Sequence, residues 1–137
     1  MPKFSARSFT KLSTCHIDLQ VLFYEVVKTF DCTILQGYRN EADQNAALAA
    51  GKSKLAYPKS KHNFKPSLAV DVVPYPLPDW SKVVDFVYFG GYVMGIAQML
   101  FDSGKMTHRI RFGGDFNRNQ RISDSSFYDC VHFEIIE

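Results

Sequence analysis

The sequence has few cysteines, and they sit in no pattern. Cys15, Cys32 and Cys130 are odd in number and irregular in spacing, and no CxxC pair occurs. That argues against a disulfide framework and favours a reducing compartment. Excess charge of one sign is also missing. Sixteen Lys and Arg stand against fourteen Asp and Glu, a net charge of +2, which argues against a dedicated nucleic-acid binder. Repeats, low-complexity tracts and Gly/Ser linkers are absent, so one domain spanning 1–137 is expected. The basic N-terminal stretch has no apolar core and no small-residue cleavage site, so no signal peptide is expected. Only one long apolar run occurs, Val83 to Phe101, and it contains Asp85, Gly90, Gly91, Gly95 and Gln98. These residues favour a buried helix of a soluble fold over membrane insertion.

What the chain does have is core material. Hydrophobic residues make up 46% and aromatics 15% of its 137 residues, enough for a folded core and too many for a disordered tail. Helical spacing of Leu19, Leu22, Phe23, Val26, Val27 and Phe30 predicts a helix over 13–30, capped by Ser13 or Thr14. Residues 32–36 read as a short buried strand that exits at Gly37. Asn40 and Asp43 predict the start of a helix over about 40–50, stopped at Gly51. Residues 51–67 read as a loop with five lysines and no acid. A strand over 68–73 ends in a proline run, and Asp79 or Ser81 is expected to cap the long helix that runs to about 102. Alternation predicts two more strands, over 108–112 and 131–136, with a polar loop over 113–126 between them. Helices and strands mix without βαβ regularity, so the expected class is α+β with a small, mostly antiparallel sheet packed with helices.

The chemistry-bearing residues are few. Of four histidines, His62 precedes a strand and His132 lies within one. Asp71 interrupts the apolar run Leu-Ala-Val-Asp-Val-Val, where a carboxylate needs a partner. Two imidazoles and a carboxylate form a common catalytic zinc set that leaves a coordination position open. Glu134 is two residues from His132 and on the same strand face, so it either orients that ring or faces solvent. Cys130, pointing opposite to its strand neighbours, is read as packing.

Taken together, Ser60-Lys-His62, Ala69-Val-Asp71 and Asp129-Cys-Val-His132 form a Ser-x-His, Ala-x-Asp, Asp-x-x-His series. This series resembles the zinc D-Ala-D-Ala carboxypeptidases and the related phage L-alanyl-D-glutamate endopeptidases (endolysins). Gln36-Gly-Tyr-Arg39, with Gln44 in the next helix, and Arg111-Phe-Gly-Gly-Asp115 extend the resemblance to about residues 15–135 in the family's order. Eight residues separate His62 from Asp71, more than the family's commonest spacing, and a bulged loop is expected to absorb them. The resemblance implies a Hedgehog/D-Ala-D-Ala-peptidase-like fold and one Zn²⁺ held by His62, Asp71 and His132. It implies Asp129 as general base, with Glu134 the competitor for that role, and Arg39 as the group that holds the developing oxyanion. Ser60, Gln44 and Glu134 are candidate substrate-binding or ligand-orienting residues. Tyr38 and Trp80 are weaker candidates for the cleft wall.

The substrate implied is the peptidoglycan stem peptide, with the lysine loop as a basic rim near the cleft. Cleavage of the L-Ala–D-Glu bond by a monomeric phage endolysin is the favoured reading. Such an enzyme would stay in the infected host's cytoplasm until lysis. D-Ala-D-Ala carboxypeptidase action, a non-catalytic zinc-stabilised wall-binding module and a nucleic-acid module are the alternatives. Asp115, Asn117 and Asn119, followed by Ser123 and Asp124, alternate like the start of a calcium loop. The rest of that motif is missing, and an Asx-rich loop is the expected reading.

Overall fold

Why each strand has two unlike faces follows from its alternation. Ile110 and Phe112, Val70 and Val72, and Phe133 and Ile135 are all buried apolar residues. The intervening Arg111, Asp71, His132 and Glu134 therefore project from the other side. The structure, a computed structural model, describes residues 2–121 and 129–136. Its elements are α1 (Ala6–Leu12), α2 (Ile17–Val27), β1 (Cys32–Gln36), α3 (Glu41–Ala49), β2 (Ala69–Pro74), α4 (Val83–Asp102), β3 (Arg109–Phe112) and β4 (His132–Ile136), with a single 3₁₀ turn at Lys61–Asn63. The sheet has the order β1-β2-β4-β3, and every neighbouring pair is antiparallel. The expected α+β class, with a small antiparallel sheet, is the fold found.

The apolar sheet face packs on α2 and α4. Leu19, Leu22, Phe23 and Val26 of α2 and Phe89, Val93 and Ala97 of α4 are buried there. Phe133 centres the core, with ring centroids 5.3 Å from Phe23, 5.1 Å from Phe112 and 6.3 Å from Phe89. The long apolar helix is real and long enough to cross a membrane by length and composition. Here it lays Phe86, Phe89, Val93 and Leu100 into the protein. The three thiols are free. Cys130 packs against the core, as expected, although from the turn before β4.

Several expected boundaries move. The helix predicted over 13–30 is the shorter α2, Ile17–Val27, and α1, which precedes it at Ala6–Leu12, was not expected. Ser13 ends α1, and Thr14 lies in the turn after it, its hydroxyl donating to the Lys11 carbonyl and accepting the Tyr38 amide. Neither caps α2. His16 does, through Nδ1, which accepts the Asp18 N–H at 3.0 Å. Asp79 and Ser81 bond to each other in the turn before α4, and Lys82, which occupies the N-cap position of α4, makes no side-chain cap bond. Asn40 caps α3 as the sequence predicts, accepting the Asp43 N–H. In the polar loop, Asp115 accepts the Asn119 and Gln120 amides on its two oxygens. Asn119 Oδ1 in turn accepts the Arg121 amide. That is the Asx-rich arrangement expected. Ser123 and Asp124 lie outside the described residues.

Candidate functional site

Strand register brings the polar face together. Asp71 pairs with His132 across β2–β4, and Arg111 pairs with Glu134 across β3–β4. His62 arrives from the 3₁₀ turn, which Ser60 starts. Ser60 Oγ accepts the His62 amide at 3.2 Å, and Asn63 Oδ1 accepts the Ser60 amide at 3.0 Å. This reciprocal cap fixes the turn that presents the ring. The longer loop between His62 and Asp71 is absorbed as expected. Leu68 returns to the Lys61 carbonyl, Ser67 bonds the Thr14 carbonyl, and Asp71 stays within β2.

The geometry at Asp71 sets it apart from an ordinary His–carboxylate pair. His62 Nε2 and His132 Nδ1 both face the same oxygen, Asp71 Oδ1, at 3.3 and 3.2 Å. The outer nitrogen of each ring is already committed to an acceptor. His62 Nδ1 is 2.8 Å from the Gly37 carbonyl, and His132 Nε2 is 2.8 Å from Glu134 Oε1. With protons on those outer nitrogens, two imidazole lone pairs and a carboxylate lone pair converge on one point. Only a positive charge satisfies that arrangement. Two ligand atoms about 2.0–2.1 Å from a tetrahedral zinc stand roughly 3.3 Å apart, the spacing seen.

Among the described residues, one other cluster, His16, Asp18 and His108, also gathers three ligand-type atoms within 4.8 Å. There the His108–Asp18 distance is 2.8 Å, and Thr107 donates twice to the same oxygen. That is a hydrogen-bonded staple between α2 and the start of β3.

The electrostatics follow from these contacts. Burial raises the Asp71 carboxyl, but the two imidazoles outweigh it and hold it well below the usual range. Burial lowers His132, and Asp71 and Glu134 outweigh it, raising the ring to about 9. Glu134 is buried, not solvent-facing. Burial raises it, yet His132 and Arg111 bring it down to about 2. Asp129 goes the other way, raised first by burial and then by the nearby Asp71 charge. Its backbone is locked, with its amide on Gly113 O at 2.9 Å and its carbonyl accepting the His132 amide at 3.0 Å. A Cβ on Gly113 would run into the Asp129 carbonyl.

These groups line a cleft of about 730 Å³. Arg39 reaches it with Nη2 3.7 Å from Asp71 Oδ2, while Nη1 donates to Gln44 Oε1 at 3.0 Å. Gln44 is fully buried and does not touch the cleft. It also accepts from Asn63 and donates to Ser53 and Leu55, so it braces Arg39 and the His62 turn. Lys52, Lys54, Lys59 and Lys61 line the opening, whereas Lys65 lies over the Tyr38 ring. Trp80 stacks on Phe86 at the surface, away from the cleft. Sequence reasoning assigned no site role to Asn63 or Phe116, took Lys61 only as one of the lysines of the basic rim, and took Gly37 and Arg111 only as members of motif segments.

Comparison with known proteins decides the family. Residues 1–136 match the model for the phage L-alanyl-D-glutamate peptidase. The chain belongs to that family. It is a peptidoglycan peptidase. The fold of this peptidase is similar to that of the Serratia marcescens L-Ala D-Glu endopeptidase ChiX, with a TM-score of 0.71. The two are 21% identical over 98% of this chain and 91% of that one. No curated protein matches the sequence.

Proposed function

We propose that this peptidase is a zinc-dependent endopeptidase that cleaves the L-Ala–D-Glu bond of peptidoglycan stem peptides during phage lysis. His62, Asp71 and His132 would hold the ion. The observation that carries this is the convergence of His62 Nε2 and His132 Nδ1 on Asp71 Oδ1 at 3.3 and 3.2 Å, each ring turned by an acceptor on its far side. Bound there, the ion supplies Lewis acidity toward the scissile carbonyl and lowers the pKa of a water.

The chain's own residues do the rest. Asp129, made more basic by burial and by Asp71, takes the proton of the attacking water and returns it to the leaving amine. Glu134 is unsuited to that role, because its charge is committed to His132, Arg111 and Lys61. Arg39, braced by Gln44, offers a guanidinium to the carbonyl oxygen as negative charge develops there. The lysines of the rim attract the anionic wall polymer. The enzyme would accumulate in the host cytoplasm until the membrane is opened.

Defined muropeptides digested by the zinc-loaded enzyme, with the new termini read by mass spectrometry, test this. New L-Ala carboxyl and D-Glu amino ends are expected. Asp129→Asn should retain zinc while losing about 10²–10⁴-fold in kcat. Release of terminal D-Ala alone, or full activity after chelation, contradicts the proposal.

A further inference from the structure

Arg111 stands where the metal cluster meets the cleft wall, and its guanidinium is divided between the two. Nε and Nη2 donate to Glu134 Oε2 at 3.2 and 2.6 Å. Glu134 Oε1 is thereby left to His132 Nε2 at 2.8 Å. On its other edge, Nη1 reaches the Phe116 carbonyl at 3.4 Å, and the guanidinium lies 5.4 Å from the centre of the Phe116 ring. That ring in turn lies 5.9 Å from the His132 ring, and Phe116 lines the cleft. Lys61 Nζ, 3.5 Å from Glu134 Oε2, adds charge to the same oxygen but makes no fork.

We propose that Arg111 is a positioning residue with two simultaneous duties, resting on the metallopeptidase reading above. Through Glu134 it sets the ring angle of His132, so that Nδ1 points at the metal position. Through Phe116 it fixes the cleft wall beside that same ring. A planar guanidinium can serve both because its donors are fixed in one fork and its face is free to stack. A lysine supplies the charge without the fork or the face. Metal retention and substrate fit are therefore joined at one side chain.

The test compares Arg111→Met, Arg111→Lys, Glu134→Gln and Phe116→Ala with the wild type. Zinc affinity is read by competition with a chromogenic chelator, and KM and kcat are read on a stem peptide. Arg111→Met should weaken zinc binding at least about tenfold, the usual cost of losing a ligand's outer partner, and raise KM as well. Glu134→Gln should affect zinc with little change in KM, and Phe116→Ala should raise KM with zinc affinity intact. Arg111→Lys, which keeps the charge and loses the fork, should fall between wild type and Arg111→Met in zinc affinity while KM rises. A folded Arg111→Met with wild-type zinc affinity and KM overturns the proposal. Should that variant not fold, an Arg111→Lys enzyme equal to wild type in both quantities overturns it just as well. Failure of the wild type itself to take up zinc refutes the metallopeptidase reading, and this inference with it.

Discussion

Asp71 Oδ1 is shared by two imidazole rings at 3.3 and 3.2 Å, so neither His–Asp71 contact is short. Elsewhere in the same protein, His–carboxylate pairs close to 2.8 Å. Without an ion, protons must fill the gap, which is why Asp71 and Glu134 raise His132 to about 9 against the effect of burial. Zinc has to displace that proton. Between neutral pH and about 9, apparent zinc affinity should therefore rise about tenfold per pH unit and then level off. Chelator competition across that range, with Zn²⁺ as the only metal, checks this. A flat profile would mean that zinc displaces no proton from His132 over that range. Asp71 stood out in the sequence as a carboxylate inside an apolar strand, whereas His62 and His132 were singled out as candidate ligands only through the motif series that resembles the family's. The backbone oxygen of Gly37 that turns His62 was not legible, since every residue has one and only the folded chain brings this one near.

Among the elements, β3 and β4 were readable because a period of two survives in four or five residues. Ile110 and Phe112, or Phe133 and Ile135, announce a buried face by themselves. Register was not readable, so the pairings of Asp71 with His132 and Arg111 with Glu134 emerged only from the fold. Helix α1 was missed because its seven residues bury only Ser8 and Leu12, too few to show a period. The start of α2 was misplaced because His16 takes the role that serine or threonine usually fills.

That same end of α2 carries a stability prediction. Burial raises Asp18, but His108 and the two Thr107 donors outweigh it and hold its pKa below 3.8. A carboxyl lowered by folding stabilises above its unfolded pKa and loses that contribution as pH falls through the folded one. Asp18→Asn should thus be less stable than wild type at pH 7 by about 1–3 kcal/mol. The gap should narrow below roughly pH 3.8. Thermal melts of both proteins from pH 7 to 2.5 would show it, and a gap independent of pH would refute it.

The whole molecule has almost balanced charge, +2, yet six of its sixteen Lys and Arg line one cleft. Lys52, Lys54, Lys59, Lys61, Arg39 and Arg111 all line it. Near neutrality overall argued against a dedicated nucleic-acid binder and left room for a local patch, which the lysine loop's lack of acids marked in the sequence. Fields of this kind act over a Debye length, about 8 Å at physiological salt. Replacing Lys52, Lys54 and Lys59 together by Glu should lower kcat/KM on intact cell wall about tenfold or more at low salt. The penalty should shrink as salt rises, with kcat on a short neutral peptide unchanged. Equal losses at every ionic strength would mean that these lysines serve the local structure and not attraction.

The most direct measurement is the zinc content of purified protein after dialysis against limiting zinc, for wild type and for His62→Ala, Asp71→Ala, His132→Ala and Asp18→Asn, each shown to be folded by circular dichroism. One ion per chain is expected in wild type and in Asp18→Asn, with little or none in the other three. Full zinc occupancy in the three ligand variants, or its loss only in Asp18→Asn, would contradict the assignment of the metal to the β2–β4 face.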